Sequence, residues 1–75
     1  PVTGLKLDRR FVTALTPHED SAANALAAGL AGLAAGLGLI GVAEGVETEE
    51  QAHVLRAQGW SHGQGWLYGR PAPLP

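Results

Sequence analysis

Leu39-Ile40-Gly41-Val42-Ala43-Glu44-Gly45-Val46-Glu47-Thr48-Glu49-Glu50-Gln51 is the stretch that decides how this chain folds. Its first five residues form a short, unbroken apolar run, the pattern of a strand covered on both faces in a parallel sheet. The run stops abruptly at Glu44. Thr48 and Gln51 then stand at capping-box spacing: the Thr48 hydroxyl can accept the Gln51 amide N–H while the Gln51 side chain reaches back. Glu49 and Glu50 suit the positive end of the helix dipole that follows. This spacing predicts a helix running to about Gln58, burying Ala52 and Leu55 and stopping at Gly59.

Upstream, Ser21 to Gly36 is dense in Ala and Leu, and Leu26, Leu30, Leu33 and Leu37 recur at steps of four, three and four. That recurrence predicts a helix with the leucines on one face. Asp20 or Ser21 can supply the cap oxygen, and Gly38 the stop. Gly29, Gly32 and Gly36 each cost about 1 kcal/mol relative to Ala. Such a helix needs tertiary packing, and its small residues suit a close approach to a sheet. Thr16 to Asp20 reads as a turn around Pro17. Before it, Leu5-Lys6-Leu7-Asp8 alternates as a short strand, with Leu5 and Leu7 on one face and Lys6 and Asp8 on the other. Downstream, Gly63 to Gly69, with Trp66, Leu67 and Tyr68, reads as a third extended piece, after which Pro71, Pro73 and Pro75 are expected to prevent further regular structure. The order strand, helix, strand, helix, strand implies right-handed crossovers and an α/β fold on a parallel sheet.

At 75 residues the chain is one small domain at most. It has no cysteine, which excludes a disulfide framework and a thiolate zinc site. Five Lys and Arg against seven Asp and Glu leave no basic stripe beyond Arg9 and Arg10, so a DNA or RNA polymer is not the expected partner. No run approaches the ~20 apolar residues of a membrane span, and no basic-then-apolar leader opens the chain. A cytoplasmic location is expected. The chain opens with Pro1 and contains no Met, so it is expected to be a piece of something longer.

Three polar residues occupy corresponding places. Lys6 lies in the first strand, Glu44 ends the second and Gln64 begins the third. In parallel α/β arrangements the carboxyl ends of strands converge on one face, where active sites collect. Each residue also has an ordinary reading: Lys6 as the neutraliser of Asp8 or another acid, Glu44 and Glu47 as solvated loop acids, Gln64 as a turn residue between glycines. His18, His53 and His62 are too scattered for a metal triad, and His53 on a helix and His62 in a loop read as surface residues. Gly36-Leu37-Gly38 follows a helix rather than opening one, against a dinucleotide fingerprint.

Taken together, these blocks resemble the EAL family. Leu5-Lys6-Leu7-Asp8-Arg9 with Phe11-Val12 is similar to its Leu-Lys-Ile-Asp-Arg-x-Phe-Val block, and Val42-Ala43-Glu44-Gly45-Val46-Glu47-Thr48 matches its most specific string. Gln51 and Gly59 keep their places, and Gln64-Gly65-Trp66 with Arg70-Pro71 and Pro73 resembles the closing segment. Leu7, Arg10 and Trp66 depart tolerably from the usual residues.

The resemblance implies a βαβαβ portion of a TIM-like (β/α) barrel and a domain that hydrolyses cyclic di-GMP to pGpG with two divalent cations, Mg²⁺ or Mn²⁺. It implies that Lys6 holds the attacking water, that Glu44 binds one metal and serves as general base, that Glu47 supports the metal site from behind, and that Gln64 orients water or phosphate. Residues 1–75 then correspond to the C-terminal part of one EAL domain, without the upstream strands, the Glu-Ala-Leu and Asp-Asp-Phe-Gly motifs or the final helix. Only Glu44 remains as a direct metal ligand. The resemblance also implies an EAL–EAL dimer and a parent that is tethered to a membrane, if at all, through other domains. Two expectations compete: a fragment of a phosphodiesterase, inactive as an isolated chain, or a non-catalytic EAL-derived binding module. Strands cut from a barrel leave open edges and an uncovered inner face, so the isolated chain is expected to unfold without a sharp transition and to aggregate.

Overall fold

The structure, a computed structural model, describes residues 4–16, 21–65 and 70–74. Its elements are β1 (Gly4–Leu7), α1 (Arg9–Ala14), α2 (Ala22–Gly36), β2 (Ile40–Glu44), α3 (Glu49–Gln58), β3 (His62–Gln64) and β4 (Ala72–Pro73). They form one four-stranded sheet in the order β1-β2-β3-β4. The first three strands are parallel, with Lys6 opposite Val42 and Glu44 opposite Gln64.

The sheet has two unlike faces. Leu5, Leu7, Gly41, Ala43 and Gly63 point toward the helices, and Leu7, Gly41, Ala43 and Gly63 are buried there. Lys6, Ile40, Val42, Glu44, His62 and Gln64 share the opposite face by strand alternation. Ile40 is 52% exposed. The apolar run of β2 is therefore covered on one face and not on both, because all the helices pack on one side of this sheet.

Trp60 organises the covered side. It is 0% exposed, and its indole Nε1 donates to the Ala27 carbonyl of α2 at 3.2 Å. Its ring lies against Gly41, where an added Cβ would sit 2.8 Å from Cε3. Leu7, Val12, Ala43, Val46, Ala52, Leu55 and Leu74 complete this core.

Helix α2 forms where expected, with the Ser21 hydroxyl accepting from Asn24 N–H at 3.0 Å. Its leucine stripe faces the other way from a core face. Leu26, Leu33 and Leu37 are exposed, and of the four only Leu30 packs against the core. Asn24, Ala27, Ala31 and Ala34 are the buried residues. Alanine wins this face because the helix must approach close enough for the Trp60 hydrogen bond. The glycines play no part in that approach: Cβ atoms at Gly29, Gly32 or Gly36 would meet nothing within 4 Å.

Asn24 also closes the connection from α1. Its Oδ1 accepts from Thr16 N–H at 3.1 Å, and its Nδ2 donates to the Thr16 carbonyl at 2.8 Å. On α3 the capping box is formed, with Thr48 Oγ1 accepting from Gln51 N–H at 3.1 Å and Gln51 Oε1 accepting from Thr48 N–H at 3.2 Å. Ala52 and Leu55 are buried, and the helix ends at Gly59.

Three elements depart from the sequence expectation. Asp8 does not continue β1; its Oδ1 accepts from Arg10 N–H at 2.9 Å and caps the six-residue helix α1. The prolines do not end regular structure either. Ala72–Pro73 pairs antiparallel with β3, a position an edge strand allows because proline's missing N–H faces outward. Leu74 N–H then donates to the Ser61 carbonyl at 2.9 Å and carries Leu74 into the core. The third strand is His62–Gln64, so Gln64 closes it instead of beginning it, because the chain is already extended from His62 and pairs there with Val42. The expected extended piece at Trp66, Leu67 and Tyr68, and the expected turn at Pro17 to Asp20, lie outside the described residues.

Gly41→Val drives a side chain into the Trp60 ring and is expected to destabilise by about 1–3 kcal/mol. Urea denaturation of the full natural polypeptide measures this, and combining it with Trp60→Phe should recover part of the loss. An unchanged midpoint for the single variant would rule out the close contact.

Candidate active site at the strand tips

Lys6, Glu44 and Gln64 stand on three neighbouring parallel strands, on the same face of the sheet and toward its carboxyl edge. Lys6 Nζ lies 3.6 Å from Glu44 Oε1. The Lys6 and Glu44 side chains are 63% and 37% exposed, so their pairing contributes about 0–1 kcal/mol to stability. What the pairing does is hold an ammonium beside a carboxylate. Asp8, the other candidate partner for Lys6, is engaged instead by Arg10, whose Nε donates to Asp8 Oδ1 at 3.2 Å.

Gln64 sits directly across from Glu44 in the register of β2 and β3. Its Oε1 is buried and accepts no hydrogen bond among the described residues. A buried acceptor left unpaired costs roughly 1–3 kcal/mol, and such an oxygen can ligate a cation or accept a hydrogen bond from water.

The loop after β2 is locked to β3. Val46 N–H donates to the Gln64 carbonyl at 2.9 Å, and the Val46 side chain is fully buried. Gly65 makes this approach feasible. Its φ is +146°, and a Cβ there would lie 2.6 Å from Val46 N and 2.7 Å from Val46 O. Glu47 follows on the exposed side of the loop, its N–H donating to Gln51 Oε1 at 2.8 Å. Glu47 is thus set in place by the cap of α3.

His62 is placed differently from its sequence reading. It belongs to β3, is half-buried, and shares the face of Gln64 two residues later. The period-two alternation leading into Gln64 carried that signal. Ser61 Oγ donates to the Gly41 carbonyl at 3.2 Å and lies 2.8 Å from His62 Nδ1. With the single hydroxyl proton committed to Gly41, Nδ1–H is the donor in its contact with Ser61 Oγ. His53 is exposed on α3.

These donors suit a hard divalent cation in chemistry and only in part in number. A carboxylate and an amide oxygen are the ligands such an ion prefers, and it takes six or more oxygens. Among the described residues no three His, Cys, Asp or Glu side chains stand together. An ammonium, a carboxylate and an unpaired amide oxygen at one edge can polarise water and receive a phosphodiester.

The EAL domain family matches residues 1–71. The bifunctional diguanylate cyclase/cyclic di-GMP phosphodiesterase MucR of Pseudomonas aeruginosa is 42% identical over 73 residues, covering 97% of this chain and 10% of that protein. The probable cyclic di-GMP phosphodiesterase PdeB of Escherichia coli is 40% identical over 74 residues, covering 92% and 12%. Among solved structures, the P. aeruginosa MucR phosphodiesterase in complex with c-di-GMP superposes with a TM-score of 0.84 at 42% identity, over 97% of this chain and 32% of that one. The EAL domain of Mycobacterium smegmatis DcpA superposes with a TM-score of 0.78 at 38% identity, over 97% and 32%. The sheet and helices described above are thus a portion of the TIM-like barrel of these domains. The chain spans 9% to 12% of the length of the curated relatives it matches. Among the described residues no helix is long and apolar enough to cross a membrane.

Two outcomes follow from these contacts. Gly65→Ala should break the lock between the loop and β3, seen as faster hydrogen exchange at the Val46 amide; unchanged protection would refute the lock. The hydrogen bonds from Arg10 N–H and then from its side chain hold the Asp8 carboxyl below its ordinary 3.8. The folded value is the lower one, so this contribution is complete above 3.8 and fades as pH falls through the folded value. Asp8→Asn should therefore flatten the acid limb of urea midpoints between about pH 2 and pH 5, and an identical limb in both proteins would contradict the cap.

Proposed function

This chain belongs to the EAL domain family, and we propose that it is the C-terminal part of a domain that hydrolyses cyclic di-GMP to linear pGpG. The observation that carries the reading is the convergence of Lys6, Glu44 and Gln64 on one face of three successive parallel strands, with Lys6 Nζ 3.6 Å from Glu44 Oε1.

In this reading Glu44 accepts a proton from the attacking water and offers its carboxylate to a cation. Lys6 favours hydroxide over water and keeps it beside Glu44. The Gln64 amide orients the water or the phosphate oxygen across from them. Glu47, set by the α3 cap, supports the loop that follows Glu44. Divalent cations, Mg²⁺ or Mn²⁺, would be held here by Glu44 and would activate water and neutralise charge on the oxygens of an in-line displacement. Bond formation from water oxygen to phosphorus accompanies cleavage of one phosphoester bond, which opens the ring. A cytoplasmic setting and pairing with a second EAL domain belong to the same proposal.

One observation favours a second reading for residues 1–75 alone. Glu44 is the single carboxylate on the site face among the described residues, so the chain by itself suits a binding or interaction module better than a catalyst.

The test is pGpG release with Mg²⁺ or Mn²⁺, by residues 1–75 alone and by the full natural polypeptide. The isolated chain is expected to be inactive and the full polypeptide active. Glu44→Gln and Lys6→Met should each lower its kcat on the order of 100-fold or more. Wild-type kcat in either variant would sink the assignment, and an inactive full polypeptide would favour the binding module.

A further inference from the structure

Three of the five Lys and Arg residues stand together, as Lys6, Arg9 and Arg10 at the carboxyl end of β1 and the start of α1. Two are engaged: Lys6 faces Glu44 and Arg10 folds back on Asp8. Arg9 is exposed and pairs with no acid among the described residues.

Its position is nevertheless fixed. A Cβ added to Gly45 would lie 2.5 Å from Arg9 Cβ, 3.3 Å from Arg9 Cα and 3.7 Å from Arg9 Nε. The Arg9 stem therefore lies along the residue that directly follows Glu44. Gly45, at φ +77°, is the residue type that admits both the backbone conformation and the contact. A guanidinium with its stem pinned and no ion pair of its own among the described residues is preorganised for bidentate binding of a phosphate.

We propose that Arg9 is a substrate-binding residue that grips the phosphodiester of the cyclic dinucleotide that is not being cleaved. The proposal rests on the function proposed above. A cyclic dinucleotide brings two anionic phosphodiesters, and Lys6, Glu44 and Gln64 converge on one. The loop after β2 carries the exposed Glu47, so the other phosphodiester needs a cation at this edge. Arg9 is next to the loop and has its charge to give. Packing on Gly45 alone needs the aliphatic stem but not the guanidinium.

The experiment compares wild type, Arg9→Met and Arg9→Lys in the full natural polypeptide. Met keeps a stem against Gly45 and deletes the charge, and Lys keeps the charge without the fork. Cyclic di-GMP and bis(p-nitrophenyl) phosphate, which has a single phosphodiester, are the two substrates. For cyclic di-GMP, Arg9→Met should raise KM by about 10- to 100-fold, as expected for a lost charge-assisted hydrogen bond, with kcat within about threefold. Arg9→Lys should fall between. Hydrolysis of bis(p-nitrophenyl) phosphate should be the same in all three. If wild type acts on cyclic di-GMP and Arg9→Met leaves KM unchanged, this proposal fails while the function stands. Equal losses on both substrates would also overturn it, by making Arg9 a structural support. A wild type without action on cyclic di-GMP removes the function and this proposal together.

Discussion

The contact between the Trp60 ring and Gly41 is the constraint on which the other parts depend. One indole joins three elements: it follows α3, lies flat on β2, and hydrogen-bonds through Nε1 to the Ala27 carbonyl of α2. Any side chain at position 41 would lift the ring, and any larger residue at 27 or 31 would lift the helix. Among the described residues Trp60, Leu7, Leu55, Val12 and Val46 are the largest that are fully buried. Deep burial of so large an apolar group offsets part of the chain entropy lost when these elements order.

The sheet divides its two duties between its two faces. Leucine, alanine and glycine face the helices and hold the strands in register; lysine, glutamate, histidine and glutamine face the other way. The Lys6 and Glu44 pair adds little to stability at its exposure, and the unpaired Gln64 oxygen subtracts from it. The candidate site therefore contributes little to the stability of the sheet that carries it. The Val46 to Gln64 hydrogen bond links the two duties, because it anchors the acid-bearing loop to the neighbouring strand through backbone alone.

Much of this arrangement was legible in the residues. The Thr48 and Gln51 spacing gave the start of α3, the apolar run from Leu39 gave β2 to within one residue, and the alternation at Leu5 to Leu7 gave β1 and its faces. Periodicity could find the leucine stripe of α2, yet it could not tell that alanines would face the core. A helix with two apolar sides is oriented by what it packs on, and Trp60 demands a thin side. Asp8 was hidden by its neighbours: an acid after a strand reads as the next alternating residue until its bond to Arg10 N–H shows it to be a cap. The antiparallel pairing of Ala72–Pro73 was masked by a rule about proline that holds inside sheets and lapses at their edges. As for the candidate site, strand order put Lys6, Glu44 and Gln64 on neighbouring strands, but Gln64 was read as opening its strand where it closes it, and His62 was lost because that strand begins two residues before the glutamine.

The alanine surface of α2 has a consequence beyond economy of volume. Ala27 and Ala31 act as a shim: they pack in the core with Trp60, on the face of the sheet whose reverse side carries Glu44. The sheet is one residue thick, so a methylene added to the shim has nowhere to go except through it. The spacing between ammonium and carboxylate on the far side is in effect gauged from behind, by side chains buried on the opposite face.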